Sequence, residues 1–424
     1  MANPSSYDIG VVGAGLGGLS AAIALRRAGH RVTLYERFAF DGEVGASLSL
    51  ASNGSRFLAA WGVPVSAARP VVLRSLVRHD WASGAVISTY PLGDYRARFG
   101  ADYHNFHRID LHRTLAATAL GEDGEGGPPA VLRTWRRATA LHPETGTVVF
   151  ATGETATHDA VICADGIRSA LRPALLGAQP DVTPSASCCY RCIISREALA
   201  GLGLQDFADA SAIEFWGGEG IDKIVLSPCS SGSVVSCYCF YAAAKNDETP
   251  DGWDQATTGA RLAATFPGLD PRLRLLFAHA DDVNMWRLYH HAPYARWTRG
   301  VAALLGDAAH PMMPDQSQGA CMAVEDAAAL GILFGPRYAA LGGVREKLLL
   351  YERVRLARAT RLQEASKRAR TDIRERIGWS SASDLPGKLT IEEVCGYDMH
   401  AHIEEVVAEY HKERTGRDEV KAVQ

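Results

Sequence analysis

The residues best placed for chemistry lie together between Val301 and Leu330. A short apolar strand is predicted at residues 301–305, and Gly306-Asp307 follows it. A carboxylate at the carboxyl end of a strand lies where open α/β sheets bind their ligands. After a loop that contains Pro314, an alanine-rich helix is predicted to begin at Gln318-Gly319, where free N–H groups and the helix dipole attract negative charge. This stretch therefore offers an acceptor for hydroxyl groups and donors for an anion, which suits a polyhydroxylated cofactor whose ring becomes anionic.

A second glycine-rich stretch begins at Gly13. Residues 7–12 predict a strand, residues 13–18 read G-x-G-x-x-G, residues 19–28 predict a helix, and residues 31–35 predict another strand that is followed by Glu36. The three glycines allow a tight turn, a close approach to a pyrophosphate, and close packing of helix on strand. An acid about 20 residues further on binds ribose hydroxyls. The whole pattern predicts dinucleotide binding, because the alternative of a simple packing turn leaves Glu36 unexplained.

Length and charge limit the function classes. A chain of 424 residues predicts about two or three domains, and 47% hydrophobic with 22% charged residues is typical of a soluble globular protein. The formal net charge of −4 argues against nucleic acid as a main partner. No apolar run reaches the roughly 18 residues of a membrane span, and no secretory signal precedes the first strand. We therefore expect a cytoplasmic protein without a membrane span.

The nine cysteines raise the question of a metal or redox site. Six of them lie between Cys188 and Cys239, and Cys189 and Cys192 have C-x-x-C spacing. Zinc-binding pairs lie on tight turns, whereas these cysteines lie in apolar runs typical of strands, where Cys189 and Cys192 point to opposite faces. We therefore predict no metal site and interpret the cysteines as buried, reduced thiols.

The remaining pattern predicts the elements that position these residues. A second, larger sheet is predicted from residues 187–195, 212–216, 223–226 and 233–241, and a buried strand at 161–164 leads into Asp165-Gly166. One long helix is predicted over residues 344–377, and its arginines fit a solvated face better than a binding patch. Shorter helices are predicted at residues 111–120, 257–266 and 403–412.

Three motifs in this order resemble those of the single-component FAD-dependent aromatic hydroxylases, the group that includes para-hydroxybenzoate and salicylate hydroxylases. They are the G-x-G-x-x-G with Glu36, Asp165-Gly166, and Gly306-Asp307 with Pro314, and the resemblance covers about residues 7–377. HRIDLHRTL, CADGIRSALR, LLGDAAHPMMP and QGACMAVEDAA most resemble the salicylate and 6-hydroxynicotinate branch. The chain departs from the family pattern at His290-His291 and in the loop Asp315-Gln316-Ser317, which adds a carboxylate beside the expected flavin position.

The resemblance implies an α/β fold with a Rossmann-type FAD-binding domain, an inserted mixed or antiparallel β-sheet substrate domain and a C-terminal helical segment. We expect residues 1–75, 105–180 and 290–343 to form the first domain, 76–104 and 181–289 the second, and 344–424 the helical segment. The implied FAD contacts are Gly13, Gly15, Gly18, Glu36, Arg37, Ala46, Arg108, Asp165, Gly306, Asp307, Pro314, Gln318, Gly319 and Ala320.

The same resemblance implies roles for some of these residues. The three glycines hold the pyrophosphate, Glu36 binds the adenosine ribose, and Arg108 reaches the FAD phosphates or ribityl chain. Asp165 lies between the pyrophosphate and the approach of the nicotinamide donor. Asp307 binds ribityl hydroxyls, and Pro314 lies over the flavin near the position where oxygen reacts. NADH or NADPH is the implied electron donor, without a second nucleotide-binding domain.

Candidates for the substrate site come from the second sheet and the strand after it. Arg191 is a candidate partner for a substrate carboxylate, and the alternative is a surface or interdomain ion pair. Tyr241 and Trp216 are candidates to contact an aromatic ring, and the alternative for each is core packing. His291 is a candidate base near neutral pH, and the alternative is a structural histidine. His310 either takes part in catalysis or orients the loop after Asp307.

These residues predict an FAD-dependent NAD(P)H:oxygen oxidoreductase, a flavin monooxygenase. The implied reaction uses NAD(P)H and O2 to hydroxylate a small phenolic or heteroaromatic acid through a flavin hydroperoxide, with or without loss of CO2. One alternative is oxidation of a larger secondary metabolite by epoxidation or dearomatising hydroxylation. Another is a non-catalytic, flavin-binding redox sensor. We expect a monomer or a homodimer.

Overall fold

We describe the chain from a computed structural model, which covers residues 6–40, 46–122, 126–180, 182–205, 207–245, 255–280, 282–382 and 386–423, with side chains to residue 415. The strands are β1 (Asp8–Val12), β2 (Arg31–Tyr35), β3 (Ser47–Leu50), β4 (Val71–Val72), β5 (Ser75–His79), β6 (Val86–Pro91), β7 (His104–His107), β8 (Val131–Arg133), β9 (Ala138–His142), β10 (Thr147–Phe150), β11 (Thr155–Thr157), β12 (Ala160–Cys163), β13 (Thr183–Ser195), β14 (Ala212–Gly217), β15 (Lys223–Cys229), β16 (Val234–Ala242), β17 (Gln255–Thr257), β18 (Val283–His290), β19 (Thr298–Arg299) and β20 (Ala302–Leu304). The helices are α1 (Leu16–Arg27), α2 (Ser52–Ala60), α3 (Tyr95–Phe99), α4 (Arg108–Leu120), α5 (Arg172–Leu176), α6 (Arg196–Gly201), α7 (Gly259–Thr265), α8 (Pro271–Ala278), α9 (Gly319–Leu333), α10 (Val344–Arg368), α11 (Ile391–Cys395) and α12 (Met399–Val423).

The strands that precede the three motifs lie side by side in one sheet. Its order is β19-β20-β12-β1-β2-β8, and every neighbouring pair except β19 and β20 is parallel. Val12 pairs with Cys163, and Cys163 pairs with Leu304, so β1, β12 and β20 end at the same level. The chain continues from β1 to β2 on one side while β12 lies on the other, and α/β sheets bind ligands at such a switch point. The predicted α/β fold class is confirmed.

The loop after β1 is packed so closely that glycine is required at two of its positions. Gly13 has a φ of +102°, and a Cβ atom there would lie 2.3 Å from the carbonyl oxygen of Ala164. A Cβ atom on Gly18 would lie 1.9 Å from the carbonyl oxygen of Gly13. Gly15 is the N-cap of α1, which begins at Leu16 rather than at the predicted residue 19. The first N–H groups of α1 therefore open onto this loop, as an anion site requires.

The second sheet is mixed, as expected, and its two faces have different surroundings. Its order is β17-β18-β13-β16-β15-β14-β5-β6, and only the pairing of β14 with β5 is parallel. The back face packs against α7 and α8 in a hydrophobic core of its own. The opposite side, which we call the front face, consists of alternate residues of three strands: Ile213 and Phe215 of β14, Lys223, Val225 and Ser227 of β15, and Tyr238 and Phe240 of β16.

The long helix predicted over residues 344–377 is shorter, and two of its arginines are not on a solvated face. α10 ends at Arg368, after which the chain turns. Arg355 is fully buried, and it binds Asp326 through Nε at 2.8 Å and Glu325 through Nη1 at 2.6 Å. Arg358 binds Glu325 at 2.7 and 2.8 Å. The solvated-face interpretation is therefore wrong for Arg355 and Arg358, which fix α10 to α9 through buried ion pairs.

The limits of the three predicted domains remain a proposal. It is supported by the second sheet, whose β5, β6 and β13 to β18 fall within residues 76–104 and 181–289 apart from Ser75 and His290. Within the described residues, no helix combines the length and the apolarity needed to cross a bilayer. All nine cysteines are free and buried, and in the described part of the chain no group of three or more metal-ligating side chains comes together.

Candidate active site

Two adjoining cavities lie beyond the carboxyl ends of β1, β12 and β20. Cavity I has a volume of about 480 Å3 and extends from the G-x-G-x-x-G loop to the front face. Cavity II has a volume of about 660 Å3 and extends from the same loop to the end of β2. Gly15, Arg108, Ala164 and Gly166 line both cavities, which therefore form one extended path.

Cavity II collects the residues predicted for the adenosine and pyrophosphate part of the cofactor. Gly13, Glu36, Arg37 and Asp165 all line it. The Glu36 carboxylate accepts a hydrogen bond of 3.0 Å from the N–H of Ala14, which holds it against the glycine loop. Arg37 is exposed at the rim of the cavity. The predicted dinucleotide residues are therefore close together in space.

Asp165 has one carboxylate oxygen in use and one without a partner. Its Oδ2 accepts hydrogen bonds from the N–H groups of Ala170 at 2.8 Å and Leu171 at 3.3 Å. Its Oδ1 is buried and has no hydrogen-bond partner among the described residues. Burial raises the pKa of Asp165, against the effect of its hydrogen bonds. Because a buried acceptor without a partner is costly, this oxygen indicates a ligand that donates a hydrogen bond here.

Cavity I collects the residues predicted for the flavin end. Gly306, Asp307, Pro314, Gly319 and Ala320 line it, and the Asp307 and Pro314 side chains are exposed in it. The N–H groups at the start of α9 have no intrahelical acceptor, so this helix presents donors and a positive dipole end to the cavity. The carboxylate and the helix start from which the site was first inferred therefore line the same cavity.

Arg172 holds the turn that carries Asp307. The fully buried Arg172 donates to the carbonyl oxygens of Ala308 at 2.8 Å and of Asp307 and Gly166 at 3.2 Å each. The turn is also held from α9, because the Asp326 carboxylate accepts from the N–H of Gly306 at 3.0 Å. Sequence reasoning missed Arg172, because its hydrogen bonds to other described residues go to backbone carbonyls and leave no local pattern.

Three of the predicted cofactor residues line neither cavity. The Gln318 side chain is buried and accepts a hydrogen bond of 2.9 Å from Asn53, so only its position before the start of α9 agrees with the prediction. The carbonyl of Ala46 accepts a 2.7 Å hydrogen bond from the N–H of Arg108 and so positions the start of α4. Gly18 packs against Gly13 and shapes the loop from behind.

These cavities fit an extended FAD molecule. The α carbon of Gly15 faces open space, since a Cβ atom there would meet no other atom within 4 Å. The unpartnered Asp165 oxygen suits a hydroxyl donor, and the exposed Asp307 carboxylate suits the ribityl hydroxyls. The start of α9 suits an anionic ring edge. Gly13, Glu36 and Arg108 would hold the adenosine and pyrophosphate, and Asp307, Gly319 and Ala320 the ribityl chain and the ring.

The front face forms the far wall of cavity I, opposite the flavin residues. Phe215, Tyr238 and Phe240 supply aromatic surface, and Ile213 and Val225 supply aliphatic surface. The Tyr238 hydroxyl donates to the carbonyl of Ser47 at 2.7 Å, and burial raises its pKa to about 12. Tyr238 therefore remains a neutral phenol near neutral pH.

Tyr241 and Trp216 do not contact this wall, so their predicted role at an aromatic substrate is corrected. Both are fully buried in the core of the back face. Tyr241 stacks on Tyr190 with ring centroids 4.6 Å apart, and Trp216 stacks on His79 at 4.2 Å. Successive side chains of a strand point to opposite faces, so β16 presents Tyr238 to the cavity and Tyr241 to the core.

Arg191 lies on the cavity side of β13 but does not line cavity I. It is buried beside Tyr238, with which it pairs across β13 and β16. Its guanidinium carbon lies 4.7 Å from the ring centroid of Trp286, an arrangement typical of a cation–π contact. The structure thus gives Arg191 an aromatic partner, where the sequence suggested a substrate carboxylate or an ion pair.

His291 is also away from both cavities, and its protonation does not suit a base near neutral pH. It is buried, and its Nδ1 lies 2.7 Å from the hydroxyl of Tyr294. Burial and the charge of Arg172 lower the pKa of His291 to about 4. His310 bonds to Asp326 at 2.6 Å, and this contact favours the orienting role predicted as its alternative.

A charged cluster that sequence reasoning missed closes the sheet end of cavity I. Lys223, Asp315 and Arg376 line the cavity, and Arg370 lies directly behind them. The Lys223 ammonium lies 2.5 Å from Asp315 Oδ1, and Nη1 of Arg370 lies 3.2 Å from the same oxygen. Burial and the charges of Arg370 and Arg376 lower the pKa of Lys223 to about 8, although Asp315 acts in the opposite direction. The carboxylate added by Asp315 is therefore part of an ion cluster within the site.

Comparison with known proteins agrees with this geometry. Residues 130–366 match the FAD binding domain family, and residues 11–48 match the NAD(P)-binding Rossmann-like domain. A hispidin-3-hydroxylase of Neonothopanus nambi is 32% identical over 372 residues, which cover 84% of this chain and 86% of that protein. A 6-hydroxynicotinate 3-monooxygenase of Bordetella bronchiseptica is 32% identical over 371 residues, which cover 84% of this chain and 90% of that protein.

A solved structure shows that the similarity to known proteins extends to the fold. The crystal structure of a variant of Klebsiella pneumoniae HpxO in complex with FAD has a TM-score of 0.72 and 27% identity, and the match covers 95% of this chain and 94% of that one. The family match spans more than half of the chain and includes Asp165, Asp307 and Pro314. The chain is therefore a flavoenzyme that belongs to the single-component FAD-dependent aromatic hydroxylases.

Proposed function

We propose that this enzyme uses NADH or NADPH and O2 to hydroxylate a small phenolic or heteroaromatic acid, with or without loss of CO2. The observation that carries the proposal is that cavity I joins the flavin residues directly to an aromatic wall. Asp307, Pro314 and the start of α9 lie on one side of it, and Phe215 and Tyr238 lie on the other. A ring held between them would lie beside the flavin.

Bound FAD, once reduced, supplies the electrons that activate oxygen for transfer to a ring carbon. The chain contributes three things around it. The N–H groups at the start of α9 stabilise negative charge on the ring edge. Ile213, Val225 and Met312 give the cavity apolar walls that exclude water. The front face positions the substrate ring, and Tyr238 contributes a neutral phenol to it.

The relatives support a small substrate. One of them is named for 6-hydroxynicotinate, a heteroaromatic acid. The similar hispidin-3-hydroxylase favours the alternative of a larger secondary metabolite. Cavity I has a volume of about 480 Å3, and the flavin ring and the substrate must share it. That volume favours the smaller substrate class.

Oxidation of NADH and of NADPH, measured with oxygen uptake over a panel of phenolic and pyridine carboxylic acids, tests the proposal. We expect at least one acid to stimulate oxidation and to yield a product that has gained one oxygen atom or exchanged its carboxylate for a hydroxyl. A purified protein that contains FAD but shows no stimulation by any panel member would instead support a non-catalytic flavin-binding sensor. Stimulation only by larger polycyclic phenols would support the alternative substrate class.

A further inference from the structure

The charged cluster at the sheet end of cavity I lies within otherwise apolar surroundings. Lys223 follows the pattern of the front face, where its neighbours across the strands are Phe240 and Gly217. Lys223, Asp315, Arg370 and Arg376 are each no more than 5% exposed. Charges are rarely this buried unless they are paired.

Cations outnumber carboxylates in this cluster. Asp315 pairs with both Lys223 and Arg370, and among the described residues no carboxylate lies within ion-pair distance of Arg376. Arg376 bonds instead to the carbonyl of Ile377 at 3.1 Å and to the Ser317 hydroxyl at 3.2 Å. When Lys223 is protonated, the four side chains therefore carry two excess positive charges, which a bound anion would compensate.

All three cations have donors left over, and two of them, Lys223 and Arg376, line the cavity. An ammonium has three N–H donors, and Lys223 uses one for Asp315 and one for the carbonyl of Ala369 at 3.2 Å. A guanidinium has five, and the contacts of Arg376 with Ile377 and Ser317 use two of them. Because both side chains line cavity I, these remaining donors are available to a ligand there.

The anion that these donors would bind differs from the negatively charged edge of the flavin ring, which is expected at the start of α9. Lys223 belongs to β15 of the front face, and Arg376 reaches the cavity from the segment after α10. The flavin residues lie after β20, on α9 and in the loop between them, and Asp315 and Ser317 of that loop contact Lys223 and Arg376. The two cations therefore lie where the front face meets the flavin loop, beside the wall against which the substrate ring is proposed to lie.

We propose that Lys223 and Arg376 bind an anionic oxygen of the aromatic substrate, a phenolate or a carboxylate, at the sheet end of cavity I. Asp315 partly neutralises the cluster through its contacts with Lys223 and Arg370, so its negative charge opposes the binding of an anion. This assignment rests on the proposed function, since it takes the occupant of cavity I to be an aromatic acid. It gives the enzyme a reason to select acidic rings over neutral ones of the same shape.

Binding of three probe compounds to the FAD holoenzyme tests the assignment. The probes are salicylate, benzoate, which lacks the phenol, and salicylamide, which is uncharged at about pH 6.5, and each is titrated by the change in flavin absorbance. We expect Lys223→Met and Arg376→Met each to weaken salicylate about tenfold or more. Equal weakening for benzoate with little change for salicylamide would identify the carboxylate as the bound anion. Equal weakening for salicylamide, which keeps the phenol, with little change for benzoate would identify the phenolate.

Two further variants separate this role from a structural one. Asp315→Asn removes the negative charge of the cluster, so we expect it to bind salicylate at least as tightly as the wild type. Lys347→Met removes a buried lysine that donates to the carbonyls of Leu333 and Tyr338 and lines neither cavity, so it controls for general destabilisation. Equal losses for all three probes, a loss in Lys347→Met similar to that in Lys223→Met, weaker salicylate binding in Asp315→Asn, or no saturable binding of any probe would each overturn the assignment.

The failure of this assignment differs from the failure of the proposed function. If no acid stimulates NADH or NADPH oxidation in the wild type, the function fails, while the order of probe affinities still reports on the anion site. If oxidation is stimulated but Lys223→Met and Arg376→Met leave the affinity for salicylate unchanged, the function stands and the anion site fails. The FAD content of each variant, read from its absorbance, shows whether a change lies in the cofactor site instead.

Discussion

Replacement of Arg355 by methionine should lower the stability of the protein far more than the same change two residues earlier on the same helix. Arg355 is fully buried and holds two fully buried carboxylates, those of Glu325 and Asp326. Arg353 makes a two-bond ion pair with Glu413 at 3.0 and 3.1 Å, but both side chains are about a third to a half exposed. The two variants therefore remove the same kind of ion pair, once from a buried site and once from a solvent-exposed site.

The expected magnitudes follow from burial. Removing one partner of a buried ion pair costs about 3–5 kcal/mol, because the other charge stays buried without compensation. In Arg355→Met, Arg358 and Asn53 still bond to Glu325, whereas Asp326 keeps His310 and the N–H of Gly306. We expect a loss near the lower end of that range. For Arg353→Met we expect a loss of less than about 1 kcal/mol, as for exposed pairs.

Urea unfolding of both variants and of the wild type, followed by tryptophan fluorescence, provides the measurement. A second readout is FAD affinity, because Asp326 also fixes the N–H of Gly306 at the turn that carries Asp307. We expect Arg355→Met to bind FAD more weakly and Arg353→Met to bind it normally. Equal losses of stability in the two variants would refute the reasoning, since burial would then not determine the strength of these pairs.

Three further predictions concern the cofactor loop and the charged cluster. Gly18→Ala should lower the stability of the apoprotein by about 1–3 kcal/mol, because its Cβ atom would lie 1.9 Å from a backbone carbonyl oxygen. Gly15→Ala should keep the thermal midpoint, because its Cβ atom would meet no other atom within 4 Å, but it should weaken FAD binding. Asp307→Ala should lose FAD or at least about tenfold in turnover, and normal flavin content and rate would contradict its assignment. Burial lowers the pKa of Lys223 to about 8 despite Asp315, and an unfolded lysine titrates near 10.4. Between these two pH values the unfolded state binds more protons, so urea unfolding should show the wild type gaining stability relative to Lys223→Met as pH rises, and a constant difference would contradict the shift.

The parts of the structure that the sequence predicted depend on local patterns. The G-x-G-x-x-G loop, the two strands around it and Glu36 are close in sequence, and their spacing alone implies their geometry. The same is true of Gly306-Asp307 and the start of α9, which follow one another within 15 residues. Each of these motifs lies at the predicted edge of the sheet.

Which residues line the substrate wall depends on the alternation of side chains along a strand. A sequence indicates the phase of that alternation less securely than it indicates a compact motif. Tyr238, Phe240 and Tyr241 lie on one strand, and a shift of one residue exchanges the cavity side for the core side. The strand prediction was correct, but the choice of Tyr241 as a ring contact took the wrong side. Arg191 was on the correct side, but its aromatic partner Trp286 comes from a strand 95 residues later, and no local pattern indicates it.

The buried charges were missed because their partners are distant along the chain. Asp315 and Lys223 are 92 residues apart, and Arg355 lies about 30 residues after Glu325 and Asp326. An arginine-rich helix has the same sequence pattern whether its charges face water or a buried carboxylate. Arg376 was assigned to that helix, which in fact ends at Arg368 and leaves the following turn free to reach cavity I.

The separation of the two faces of the second sheet has a consequence for how enzymes of this kind diversify. The back face belongs to a hydrophobic core of its own, whereas Ile213 and Phe215 of the front face are buried in the larger core of the protein. Half-buried positions of the front face such as Val225 and Tyr238 are then open to change one at a time, each altering the shape of the wall while the back-face core stays constant. A new substrate preference is accessible by single substitutions without an intermediate that fails to fold, and a library restricted to the front face should yield folded, FAD-containing variants at a higher rate than one restricted to the back face.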